Sequence, residues 1–190
     1  MSQMNFSHDT ELSLRCAAAL VNTNRVGGEQ LGDQRLLGAF LNEWVWTGRR
    51  DGDDAELAAV WDLRDRLGGI WALAGDETAA VAAVNELLAD TGARPWLTRH
   101  PELPEWHLHL SADDDPLAQR IGAEVGMALA DVIRDGELRR LKICAAPDCD
   151  AVLVDLSRNR SRRFCDTGNC GNRQHVAAYR ERQAHQHRDL

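Results

Sequence analysis

No apolar run in this sequence approaches the roughly 20 residues needed to cross a bilayer. The opening residues, MSQMNFSHDTELSLRC, lack a basic stretch followed by an apolar block, so no secretion signal is expected. The expected compartment is therefore the cytoplasm, with no membrane partner. Signatures of catalysis are missing as well. There is no phosphate-cradling glycine loop, no H-E-x-x-H and no G-x-S-x-G. The acidic groups in RRDGDD and SADDDP suit loops and helix caps better than acid/base pairs, and the chain reads as no enzyme. It also has few prolines, no internal repeat, no low-complexity tract and no redox-type C-x-x-C.

What is present suffices for a core: 44% of 190 residues are hydrophobic, enough for one medium domain with a small appendage. The net charge of −8 conceals a split. Residues 139–190 carry 11 Lys/Arg against 6 Asp/Glu, a net +5, whereas residues 1–138 carry 11 against 24, a net −13. A polyanion would meet the C-terminal part.

The first 138 residues are patterned mostly as helices. TELSLRCAAALVNT suits an opening helix, with Cys16 as a small buried hydrophobe. DQRLLGAFLNEWVWTG suits a second, with Asp33 as N-cap, Leu36 to Val45 at helical spacing and Gly48 as C-terminal glycine. Two more follow in AELAAVWDLRDRLGGIWAL and in DETAAVAAVNELLAD, the last capped by Asp76. EWHLHL alternates as a strand does, placing His107 and His109 on one solvated face. Asp115 as N-cap and Pro116 in the first turn open a further helix that ends near Gly136.

Four of the five cysteines fall within 27 residues: Cys144, Cys149, Cys165 and Cys170, in the pattern C-x4-C-x15-C-x4-C. Two close pairs with a loop of roughly 12–20 residues between them are what a tetrahedral zinc site needs. Iron–sulfur runs have other spacings, and with four thiolates to hand His175 is not needed as a ligand. One structural Zn2+ per chain is expected, with no open position for water. The intervening DAVLVDLSRNRSRRF reads as a hairpin, AVLVDL out and RRFC back, and GNRQHVAAYRERQ as a closing helix. The expected fold is thus mainly α (α+β): a helical domain with a short strand segment over 1–137, then a treble-clef or zinc-ribbon-like ββα zinc module over 138–183. Residues 184–190, with His185 and His187, form a disordered tail.

CGNR at 170–173, RRFC at 162–165, the hairpin tip DLSRNRSRR and the pair CAAPDC together resemble the CGNR-type zinc-finger proteins. That family commonly carries an N-terminal ABATE domain, whose early signature is similar to ALVNT at 19–23. The resemblance implies a bacterial DNA-binding transcription regulator of the stress-induced kind. Family members often have an aromatic before the hairpin aspartate. Here Val154 precedes Asp155, a departure not expected to affect zinc.

Seven arginines lie between Ser157 and Arg182, opposed only by Asp166 and Glu181. Arg158, Arg160, Arg162, Arg163, Arg180 and Arg182 are the candidates for contact with double-stranded DNA, because guanidinium forks match phosphates and guanine edges. Arg173 follows the last cysteine directly and, with Asp155 and Asn172, is assigned to support of the zinc site. The competing reading is a zinc-stapled protein-interaction module without DNA binding, its arginines turned inward. The six tryptophans all lie in the helical part. Core packing accounts for Trp44, Trp61 and Trp71, and a small apolar ligand between helices, or a homodimer, is a further partner open to that part.

Overall fold

Three aspartates start three helices. In a computed structural model that describes residues 6–100 and 103–186, Asp33, Asp53 and Asp76 each accept a bond from the backbone N–H three residues on, at Leu36, Glu56 and Ala79. Each satisfies a donor that the first helical turn would leave unpaired. They open α2 (Gln34–Glu43), α3 (Asp54–Ala72) and α4 (Glu77–Thr91), which follow α1 (His8–Asn22). Gly92, at φ +63°, closes α4 in the left-handed conformation. A hairpin of β1 (Trp96–His100) and β2 (Leu103–His109) leads to α5 (Leu117–Arg134).

α5 is the axis of the helical body and packs on α1, α3 and α4. Its buried stripe includes Leu117, Ile121, Val125, Leu129 and Val132. α4 can come close because α5 carries glycine where they meet. A Cβ at Gly122 would lie 2.8 Å from Thr91 Cγ2, and one at Gly126 2.8 Å from Leu88 Cδ2.

Two expected helix ends are corrected. α2 stops at Glu43 rather than running to Gly48, and Val45 is 67% exposed at φ +55°. Gly48 instead sits where a Cβ would collide with Arg120 Nη1 and Asp113 O. The buried Arg120 guanidinium bonds the carbonyls of Thr47 and Arg49 there, so the loop follows a tertiary partner and not the helical pattern. Asp115 does not cap α5. Its carboxylate accepts from Ala112 N in the preceding turn, and Pro116 occupies the cap position.

After Gly136 (φ +68°) and a 3-10 turn at Leu138–Arg140 come β3 (Leu141–Ile143) and β4 (Val152–Val154), antiparallel, with Lys142 opposite Leu153. α6 (Cys170–Gln186) ends the described chain. The return strand expected in RRFC is absent. β4 pairs backwards with LKI, so the first cysteine pair lies inside the hairpin loop and not before it. α6 also continues through 184–186, into the expected tail, while His187 and the residues after it lie outside the described residues.

The zinc segment is not an appendage. Leu138, Leu141, Val152 and Val154 belong to the same core as Leu20, Trp71 and Leu129. The Asn22 carboxamide pairs with both the N–H and the C=O of Val152, at 2.8 and 2.9 Å. Trp71 Nε1 donates to Leu153 O at 3.1 Å. Asn22 thus satisfies β4 from its unpaired side, and Trp71 adds a donor to a carbonyl that faces β3. Among the described residues no helix is long and apolar enough to cross a membrane.

Candidate metal centre

β3 delivers Cys144 at its end, the hairpin loop carries Cys149, a loop over 155–164 returns to Cys165, and Cys170 is the first residue of α6. The four Sγ atoms lie within 4.8 Å of one another, and Cys165 Sγ stands 3.7 Å from both Cys149 Sγ and Cys170 Sγ. Sulfurs bound tetrahedrally to one zinc at about 2.3 Å would stand about 3.8 Å apart, so the spacing fits the ion. The second cysteine pair needs glycine between its members, because a Cβ at Gly168 would lie 2.9 Å from Cys170 Sγ.

The donor chemistry fits equally well. Cys144, Cys165 and Cys170 are buried and Cys149 half-buried. Burial pushes the Cys165 thiol up to about 12 and raises Cys149 as well, so neither pocket favours a lone thiolate. A dication among four sulfurs would reverse that balance. Cys144 Sγ accepts from Cys165 N at 3.4 Å, and Cys170 Sγ accepts from Arg173 Nη2 at 3.1 Å. The guanidinium holds Cys170 below its ordinary value, and its other arm reaches Asp148 at 2.6 Å. His175 is exposed on α6, outside the cluster. Cys16 is buried far from the others in sequence, its sulfur accepting from Trp46 Nε1 at 3.3 Å.

Asp155, fully buried, organises the loop that bears the arginines. It accepts from Lys142 Nζ (2.6 Å), Arg162 N (2.8 Å) and Ser157 N (3.0 Å). Burial raises its pKa, and these donors outweigh burial, leaving it below the usual carboxylate range. Lys142 further donates to the carbonyls of Arg160 and Arg162, and the buried Arg140 to those of Asp155 and Ser157. Asp155 therefore locks a loop and does not touch the sulfurs. Asn172 is exposed, with no bond to the cysteines or the loop among the described residues.

The seven arginines divide. Arg160 forks onto Glu137, a carboxylate only 2% exposed, at 2.5 and 2.8 Å. Arg162 pairs with Asp166, and Arg173 with Asp148. Arg158, Arg163, Arg180 and Arg182 are exposed and meet no carboxylate among the described residues, although Arg163 lies over the Phe164 ring. Sequence reasoning missed Glu137, Arg140 and Lys142. The available signal was a single carboxylate inside the basic stretch ELRRLK.

In the helical body, Trp71 is buried, Trp44, Trp46 and Trp61 are half-buried, and Trp96 and Trp106 are exposed on the β1–β2 hairpin. None of them lines the cavity of about 180 Å³ formed by Ser7, Asp9, Leu110, Glu124 and Asp131 among others. Burial there lifts Glu124 to about 7, with Leu110 N bonding it and Asp9 repelling its charge. His107 is buried and not on a solvated face, its ring 5.1 Å from that of His109.

Comparison with known families divides the chain as the cysteines do. The model for the CGNR zinc finger matches residues 140–183, all four cysteines included. The model for ABATE, described as "Putative stress-induced transcription regulator", matches residues 14–136. No curated protein matches the chain.

Proposed function

We propose, for a chain that belongs to the ABATE family and closes with a CGNR zinc finger, that it is a transcription regulator contacting double-stranded DNA through that finger. The observation that carries this reading is the division of the arginines. Arg160, Arg162 and Arg173 are held by carboxylates. Arg158, Arg163, Arg180 and Arg182 stay exposed on a segment of net charge +5, which is the electrostatic footprint of a phosphate-binding surface.

In this reading zinc held by Cys144, Cys149, Cys165 and Cys170 is structural, since four thiolates leave no position for water or substrate. Arg173 supports the cluster through Cys170, and Asp155 sets the arginine loop. The helical body over 1–137 receives the signal, and the module over 138–183 meets DNA.

Duplex titration across salt concentrations, with zinc-loaded protein, tests the proposal. Four phosphate contacts would give a slope of log K against log salt near −3.6. A protein holding one zinc per chain and lacking affinity for duplex DNA at low salt would leave the alternative, a zinc-stapled protein-interaction module.

A further inference from the structure

α6 is unlike every other helix in the molecule, because beyond Cys170 none of its described side chains is buried. Past Cys170 its inner face is only half-buried, at Gly171, Gln174 and Ala178, so little packing supports the helix. Two large apolar side chains on it are exposed even so, Val176 at 40% and Tyr179 at 57%.

At about 100° per residue, Asn172, Val176, Tyr179 and Gln183 fall in a stripe about 60° wide on the side of α6 away from Cys170. The stripe spans roughly 16 Å along the axis. Tyr179 and Gln183 are linked along it, Gln183 Nε2 donating to the phenol oxygen at 3.4 Å. No arginine lies in the stripe. Arg180 and Arg182 fall on its two flanks, and Arg173 is turned to Cys170 and Asp148.

The residue types in the stripe are specific. A carboxamide pairs bidentately with adenine N6 and N7, and apolar or aromatic groups pack on the thymine methyl. Guanine is read chiefly by arginine or lysine. Guanidiniums on both flanks suit the phosphates on either wall of a major groove about 12 Å wide. The carboxamides match a base edge and the flanking guanidiniums match phosphates, and a duplex presents both together, which an acidic partner helix does not.

We infer that α6 enters the major groove and reads A·T pairs through Asn172, Val176, Tyr179 and Gln183, while Arg180 and Arg182 hold the phosphates. The inference rests on the DNA-binding reading and adds the element, the face and the base class. It also gives Asn172 a role away from the zinc.

Selection of bound sites from a random duplex pool tests it, using the zinc-loaded full chain and the variant N172A/Q183A. Both substitutions are on exposed positions, and zinc content checks that the finger is intact. Wild type is expected to enrich a core of A·T pairs. The variant is expected to lose that enrichment by about tenfold or more per position, with its salt slope on bulk DNA unchanged. A G·C core, or an A·T core retained by the variant, overturns the inference. Salt-dependent binding with no enriched core overturns it too and leaves the DNA-binding reading standing. No duplex binding at all removes that reading, and this inference with it.

Discussion

Gly168 and Asp155 act at opposite ends of the same loop and by different physics. At Gly168 the constraint is space: a methyl group would sit 2.9 Å from Cys170 Sγ, so Gly168→Ala must displace a ligand. The expected result is a fall of about tenfold or more in zinc affinity, read by competition with a chelator. At Asp155 the constraint is charge. Removing the carboxylate in Asp155→Ala strands Lys142 and the Arg162 N–H, and a loss of about 3–5 kcal/mol is expected in denaturant unfolding. Because Asp155 and Glu137 both lie below the usual carboxylate range when folded, their stabilisation is present above that range. It is lost as pH falls through their folded values. Glu124 has the opposite sign. Its folded value of about 7 lies above the ordinary 4.5, so its contribution is complete below about 4.5 and disappears as pH rises through 7. Glu124→Gln should therefore gain stability relative to wild type between pH 5 and 8, measured as the difference in urea midpoint. A difference that stays flat across that range would contradict the assignment.

Among the elements, what could be read in advance was what depends on neighbours in sequence. The aspartate caps of α2 and α4 were legible because cap and recipient N–H are three residues apart. So were the four cysteines, whose spacing alone sets the geometry of a shared ion. The hairpin was mispaired for a physical reason. β3 has only three residues, too few for alternation to be visible, and RRF is held by single bonds, Arg162 N to Asp155 and Ala145 N to Arg163 O, and not by a strand. The carboxylate partners of Arg160 and Arg173 were not legible either, since Glu137 and Asp148 stand 23 and 25 residues away. α5 offers a test of packing against propensity. Gly122→Ala gains about 1 kcal/mol of helix propensity, yet its methyl meets Thr91, Leu63 and Leu87 on three sides. Overpacking costs about 1–3 kcal/mol, so net destabilisation is expected, read as a lower Tm.

At the scale of the whole molecule the two family segments share one hydrophobic core. Val152 is satisfied by Asn22 from α1, and Trp71 from α3 adds a bond to the carbonyl of Leu153. Asn22→Ala leaves two buried backbone groups of Val152 unpaired, at a cost of about 3 kcal/mol. The same variant should release zinc more readily, because body and finger are joined at β4. Unfolding followed by tryptophan fluorescence and by zinc release should give coincident transitions. Zinc release in a separate, earlier step would mean that the finger is independent.

Glu137, in the turn between α5 and the 3-10 turn, ties the arginine loop to the helical body through its fork to Arg160. The arginines that this arrangement leaves exposed should set the salt slope of duplex binding, which two variants measure. Neutralising Arg158, Arg163, Arg180 and Arg182 together should bring a slope near −3.6 close to zero, with zinc content and Tm unchanged. Arg160→Ala should lower Tm and leave the slope almost unchanged. An unaltered slope in the fourfold variant, or the larger slope change in Arg160→Ala, would contradict the account.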